Sequence, residues 1–192
     1  MQEGSLIARD VACRRGERLL LRSFSCTLQP GDALLLHGVN GVGKSSLIRV
    51  LAGLSRPFAG TVERNGGVGL IDENPALDER LPLARALAFW GAVDRASCQA
   101  LDALGLRELA DVPVRYLSTG QRKRAAFVRL LTQRCPVWLL DEPLNGLDGA
   151  AVTLVERLVA NHRVQGGIAV VASHQSLTLD SAALIALEDY VP

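Results

Sequence analysis

The stretch "ALLLHGVNGVGKSSLIRVLAG", Ala33 to Gly53, decides the fold. "ALLLH" (33–37) is a continuous apolar run, which suits a parallel strand covered on both faces. "KSSLIRVLAG" (44–53) sets Leu47, Ile48 and Leu51 on one helical face, with Gly53 near its end. Between them, Gly38, four residues, Gly43, Lys44 and Ser45 match G-x-x-x-x-G-K-[ST]. A strand, a glycine-rich loop and a helix form the setting in which that spacing carries a mechanism. The glycines let the backbone of Gly38, Val39, Asn40, Gly41, Val42 and Gly43 wrap a phosphate, with successive N–H groups turned inward. The helix start, Lys44 to Ser46, adds partial positive charge. Lys44 is expected to reach the β- and γ-phosphates, and the Ser45 hydroxyl to be a Mg²⁺ ligand. The plainer explanation, a glycine-rich turn with a chance lysine, fits the flanking elements less well.

Outward from this stretch, strands and helices alternate. "SLIARDVAC" and "RLLLRSFSCTL" read as two strands joined by a turn at "RRGE", and "PGD" (30–32) as a turn into the apolar strand. "GTVERNGGVGLI" reads as strand, turn and strand. From Asp72 to about Val114, Leu, Ala and Arg dominate, as in two or three helices. "VWLLDEP" (137–143) and "GIAVVAS" (167–173) are further buried strands, separated by the amphipathic helix "AAVTLVERLVANHR". Such alternation implies a parallel sheet, so the fold class is α/β with a mainly parallel sheet.

Composition narrows the function classes. A length of 192 residues suits a single domain, and 48% hydrophobic residues can bury a sizeable core. The net charge of +1 points neither to nucleic acid nor to an acid-seeking surface. The four cysteines are scattered without a C-x-x-C pair, which argues against a zinc site or a disulfide framework and fits a reducing cytosol. The N-terminal segment carries charges every few residues and no apolar run, unlike a signal peptide. "IAVVA" falls far short of the ~18 residues of a membrane span. A mean hydropathy of +0.20 is high, and some apolar surface is expected to serve a partner.

"VWLLDEP" ends a buried strand on two adjacent acids, where ligands of open α/β sheets bind. Neighbouring side chains on a strand point opposite ways, so Asp141 and Glu142 are expected to do different work. Asp141 suits a Mg²⁺ shell through a water, and Glu142 suits polarising the water that attacks a γ-phosphate. A polar strand exit at Pro143 is the alternative. His174, after the third buried strand, can reach a γ-phosphate and steady that water and Glu142. His37 and His162 read as no more than loop residues.

The stretch "LSTGQRKRAAFVRLLTQR" begins a helix with S-x-x-Q (Ser118, Gln121), a capping box. The box does not explain Gly120, which weakens a first turn unless something approaches the backbone closely.

With "GVNGVGKS", "LSTGQ", "VWLLDEP", "NGLD" (Asn145 to Asp148) and His174, the chain resembles the ATP-binding cassette (ABC) ATPases over nearly its whole length. The resemblance implies a P-loop NTPase core with an N-terminal antiparallel β subdomain and a small helical subdomain. Its expected boundaries are about 1–72 and 136–192 for the core and 73–135 for the helical part, within one domain of residues 1–192. It also implies ATP and Mg²⁺ as cofactors and a head-to-tail dimer sandwiching two ATPs. In that dimer Ser118, Gly120 and Gln121 would meet the partner copy's ATP, and Asp148 would couple the two sites. A narrower resemblance, in "CRRGERLLLRSFSCTLQPGDALLLHGVNGVGKSSLIRVLAGLSRPFAG", "YLSTGQRKRAAFVRL" and "QGGIAVVASHQ", is to the ATP-binding subunits of haem exporters in bacterial cytochrome c maturation. That implies integral membrane permease partners, a peripheral place on the cytoplasmic face of the inner membrane, and export or release of haem or a haem chaperone.

The chain departs from the family pattern in three places, the mildest being Asn145 of "NGLD", where a small residue is commoner. "ACRRGER" lacks the usual aromatic residue for adenine, which leaves Arg15 to lie on the base. The family's glutamine between subdomains has no match; Asn74 or Glu73 stands there. Two other readings compete: a nucleic-acid ATPase, whose basic stripe would have to be "RKR" (122–124), and a small-molecule kinase, which gives no reason for "LSTGQ". "RKR" reads better as the exposed face of its helix, so no direct nucleic-acid contact is expected. The apolar "LAFWGAV" (87–93) is expected either to help line a groove for the membrane partner or simply to pack.

Overall fold

A computed structural model describes residues 4–90, 96–175 and 177–192, with the backbone alone for 96–99. The chain divides into two compact units. One comprises Met1–Asp72, Cys135–Pro143 and Glu156–Pro192; the other comprises Glu73–Arg134 and Leu144–Val155.

The first unit holds two sheets. β1 (Ser5–Arg15) pairs antiparallel with β2 (Arg18–Leu28) on one side and β4 (Ala59–Asn65) on the other. The second sheet combines β3 (Ala33–His37), β5 (Val68–Ile71), β6 (Val137–Asp141), β7 (Ile168–Ala172) and β8 (Ala183–Ala186), in the order β5-β6-β7-β3-β8, every pair parallel. β6 and β7 are buried at every residue, which is why their sequences are unbroken apolar runs. One face of that sheet joins helix α1 (Lys44–Leu51) and the antiparallel sheet in a core that includes Phe24, Leu34, Leu36, Leu47, Ile48 and Val170. Burying Phe24, Leu34, Leu36, Leu47 and Ile48 contributes about 1.5–3 kcal/mol each.

β8 has no counterpart among the strands expected from the sequence. It is a four-residue edge strand whose Leu184 stays 69% exposed, so its residues carry little periodic signal. A 3₁₀ turn, Leu187–Tyr190, follows it. Leu187 is fully buried, and the Tyr190 ring meets Phe24 edge-on at 5.4 Å. His162, expected to be unremarkable, is a core residue. It stacks on Trp138 with ring centroids 3.8 Å apart, and its Nε2 lies 3.2 Å from the Pro136 carbonyl. Burial pushes its pKa down to about 4, so it is neutral.

The second unit is helical: α2 (Leu83–Ala88), α3 (Ala96–Ala103), α4 (Thr119–Gln133) and the first turns of α5 (Gly149–Val164), which then runs on into residues of the first unit. α4 is its central element, with Ala125 to Leu130 buried in succession. That centrality corrects the reading of "RKR" as an exposed face. Lys123 is buried, and Arg122 and Arg124 are half-buried. Their guanidiniums donate to the carbonyls of Leu117 (3.1 Å) and Leu104 (2.9 Å). Long basic side chains lie along a packed helix while their heads find carbonyl oxygens, so the run offers no basic stripe. Of "LAFWGAV", Gly91 to Val93 fall outside the described residues. Leu87 is buried, Phe89 is 80% exposed, and the Trp90 indole donates to the Ala76 carbonyl. Among the described residues, no helix is long and apolar enough to cross a membrane.

Candidate functional site

The loop between β3 and α1 carries Gly38 to Gly43 at the carboxyl end of the parallel sheet. In a doubly wound sheet this is where the backbone opens toward a ligand. Asn40, Gly41 and Ser45 are exposed and Ser46 is half-exposed, while Val42, Gly43 and Lys44 are buried. The Lys44 ammonium folds back onto the loop, donating to the Gly38 carbonyl at 2.7 Å and lying 3.5 Å from that of Val39. It is also 3.5 Å from Glu142 Oε1.

Glu142 stands one residue beyond β6, and the other oxygen of its carboxylate, Oε2, meets His174 Nδ1 at 2.8 Å and the His174 backbone N–H at 3.4 Å. An ionised carboxylate only accepts, so His174 carries its proton on Nδ1. The sheet order brings these groups together. β7 lies between β3 and β6, so the residues just past its end sit between the phosphate loop and the acidic strand exit. No local pattern in the sequence reveals that order.

The different settings of Asp141 and Glu142 have another cause than strand alternation. Asp141 ends β6 opposite Ala172 and is 4% exposed. Glu142 has φ 46°, a left-handed conformation that non-glycine residues adopt at a cost. Its N–H still donates to the Ala172 carbonyl at 2.8 Å. The chain therefore turns out of the strand at Glu142, and its carboxylate goes to Lys44 and His174.

Val39, expected among the phosphate donors, has its N–H committed elsewhere: it donates to Glu188 Oε1 at 2.8 Å. Glu188 belongs to the 3₁₀ turn after β8, and nothing in the sequence pattern singles it out. Its carboxyl is held below the usual carboxylate range, first by the Val39 N–H, then by its own backbone N–H, with His37 and Lys44 adding smaller contributions.

Ser118 caps α4 and forms a reciprocal box with Gln121. The Gln121 N–H donates to Ser118 Oγ at 3.2 Å, and the Ser118 N–H donates to Gln121 Oε1 at 2.8 Å. Gly120 has a reason within its own unit. A Cβ there would lie 2.6 Å from the Gly146 carbonyl oxygen, and one on Gly146 (φ 78°) would lie 3.0 Å from Thr119 Cγ2. The close approach expected at Gly120 is thus made by the chain itself, so the glycine alone does not call for a partner's phosphate. Asp148 also acts within the chain. Its carboxylate accepts the Ala151 N–H at 2.8 Å and so caps α5. Asn74 is exposed in a bend after β5, and Glu73 is exposed beside it. Arg15 is the exposed last residue of β1, paired with Arg18.

The donor set fits Mg²⁺. Ser45 and Asp141 offer hard oxygens, and among the described residues no cluster of three or more His, Cys, Asp or Glu could cage a metal. Mg²⁺ is commonly held that way, by one or two protein oxygens together with substrate phosphates and water.

The family model "ABC transporter" matches residues 21–145. A protein of Novosphingobium aromaticivorans, named cytochrome c biogenesis ATP-binding export protein CcmA, is 53% identical over 192 residues, the whole of both chains. A protein of the same name from Zymomonas mobilis is 47% identical over 189 residues, covering 97% of this chain and 86% of its own. Among solved structures, a Pyrococcus furiosus chain described as an ABC transporter ATP-binding protein superposes with a TM-score of 0.84 at 19% identity, over 98% of this chain and 100% of that one. The ATP-binding subunit of another ABC transporter gives 0.83 at 22% identity, over 94% and 85%. The chain belongs to the ABC transporter family of ATPases, among the cytochrome c biogenesis ATP-binding export proteins.

Proposed function

We propose that this chain is the ATP-hydrolysing subunit of a membrane export complex in c-type cytochrome biogenesis, with haem or a haem chaperone as the species exported or released. The observation that carries the reading is full-length similarity to export proteins of that pathway, at 53% identity, together with the Lys44–Glu142–His174 constellation at the phosphate loop.

The chemistry follows from these residues. The amides of Asn40, Gly41 and Gly43 to Ser46, with Gly38 opening the loop, cradle the β- and γ-phosphates of ATP, while the Val42 N–H is held by the Val39 carbonyl at 3.3 Å. Lys44 leaves Glu142 and the loop carbonyls to take phosphate oxygens, which frees Glu142 Oε1. Glu142 then accepts a proton from the water that attacks the γ-phosphorus, and ADP departs with the bridging oxygen. His174, donating from Nδ1 to Oε2, keeps the carboxylate aimed. Ser45 and Asp141 would hold Mg²⁺, which neutralises charge on the phosphates when bound. Ser118, Gly120, Gln121 and Asp148 serve a second copy's nucleotide in a head-to-tail dimer. Asn74 or Glu73 links nucleotide to the membrane subunits, and Arg15 faces adenine. The working place is the cytoplasmic face of the inner membrane, bound peripherally to integral permease subunits, with no direct nucleic-acid contact.

The alternatives are another small exporter's ATPase or, more remotely, a nucleic-acid ATPase. The test is affinity capture of the full chain from membranes of a cytochrome c-producing host. Co-purification of cytochrome c maturation membrane proteins is the expected result, with MgATP hydrolysis lost in Lys44→Ala. Capture of an unrelated permease would redirect the cargo assignment. Strong, salt-dependent DNA or RNA binding would overturn the exporter reading.

A further inference from the structure

We propose that Glu188 is a positioning residue of the phosphate loop, holding the peptide between Gly38 and Val39 in the orientation that nucleotide binding needs. The inference rests on the nucleotide-binding reading above and adds a residue to it.

One planar peptide is held at both ends. Its N–H, from Val39, donates to Glu188 Oε1 at 2.8 Å, and its C=O, from Gly38, accepts from Lys44 at 2.7 Å. In a trans peptide these two groups point in opposite directions, so the two contacts together set its rotation. Glu188 comes from a rigid mount, because its neighbour Leu187 is fully buried and Tyr190 packs on Phe24. The contact also needs the space that Gly38 leaves. A Cβ there would stand 3.2 and 3.3 Å from the two Glu188 oxygens and 2.9 Å from Val42 Cγ1. The loop's first glycine thus makes room for the chain's own C-terminal segment.

The lysine end of this arrangement is temporary. When Lys44 turns to a triphosphate, the Gly38 carbonyl loses that donor, and the Val39 N–H on Glu188 is what still fixes the peptide. The amides that follow then keep facing the phosphate. A carboxylate near an anion site would oppose binding, but here it lies on the N–H side of this peptide and satisfies a donor that points away from Lys44. The same Val39 N–H is the first cause that holds this carboxyl below the usual carboxylate range.

The experiment uses the full chain without nucleotide first. Amide hydrogen exchange at Val39 should be slow in the parent, at least tenfold faster in Glu188→Ala, and restored in Glu188→Gln, which keeps an acceptor oxygen. With MgATP, Glu188→Ala should raise KM roughly three- to tenfold, with a smaller effect on kcat and an unchanged melting temperature, and Gln should recover most of the loss. Three results overturn the proposal: unaltered Val39 exchange in Glu188→Ala, equal impairment by Ala and Gln, or a fall in kcat that tracks a fall in Tm. A parent protein that binds no MgATP would instead sink the nucleotide reading, since the Val39 measurement needs no nucleotide.

Discussion

The phosphate loop and the start of α4 are both anion-ready helix N-termini, but they are built differently. At the loop, charged side chains from distant parts of the sequence converge: Lys44, Glu142 and His174 form one chain of contacts, and Glu188 holds the loop from the C-terminal segment. At α4, the cap and Gly120 are satisfied within the helix's own unit. Ser118 and Gln121 cap each other, and Gly120 packs against Gly146. The acidic neighbour of α4 is Glu79, 3.9 Å from Arg122 in an exposed ion pair. On the function proposed above, the first region grips a nucleotide and activates water, and the second lends a hydroxyl and amides to a nucleotide held by a second copy. That division is what a head-to-tail pair requires, and it is why two helix starts in one chain need not be two complete sites.

Among substitutions in the two regions, the largest effect is expected at Glu142. Glu142→Gln keeps the shape but removes the base, so phosphate release should fall by about 10²- to 10⁴-fold while MgATP still binds and the ATP-bound dimer accumulates on gel filtration. A near-parental rate would assign the base elsewhere. Next comes Gly120. Gly120→Asp should abolish hydrolysis and, because a Cβ there would lie 2.6 Å from the Gly146 carbonyl oxygen, also lower stability, with MgATP binding by the monomer intact when read by equilibrium dialysis on the folded fraction. Gly120→Ala separates the two explanations of this glycine. If the contact with Gly146 is what demands it, even a methyl should destabilise the protein by about 1–3 kcal/mol in urea unfolding. If alanine is tolerated in stability but not in hydrolysis, the demand comes from outside the chain. The smallest effect belongs to the cap. Ser118→Ala should cost about 1 kcal/mol, seen as a fall in Tm of about 2–4 °C. Monomer MgATP binding should not move, because the bonds of the cap are made between Ser118 and Gln121 alone.

Much of this protein is legible from local rules. Unbroken apolar runs mark strands buried on both faces, and β3, β6 and β7 lie where those runs place them. The capping box is a contact between residues three apart, so its pattern and its geometry coincide. The elements that escape are the ones without a local signature. β8 is short and half uncovered. The left-handed turn at Glu142 follows from where β6 ends and what its carboxylate meets, and no residue preference announces it. "RKR" looks like a solvated charge run until α4 is seen to be the packed centre of its unit. Resemblance makes Asp148 a coupling residue, while the bond it forms within the chain is a helix cap.

The α/β class, the phosphate-loop motif with Lys44 and Ser45, the acidic strand exit and the cap of α4 are legible in the order of residues. Each of these is written in side-chain period, in backbone freedom or in spacings short enough for one turn of chain. Which distant residues meet is set by the folded chain. The position of β7 between β3 and β6 brings His174 to Glu142, and an unforeseen edge strand and 3₁₀ turn carry Glu188 to Val39. Strand order and chain closure depend on contacts between residues far apart in the chain, and no local periodicity encodes those.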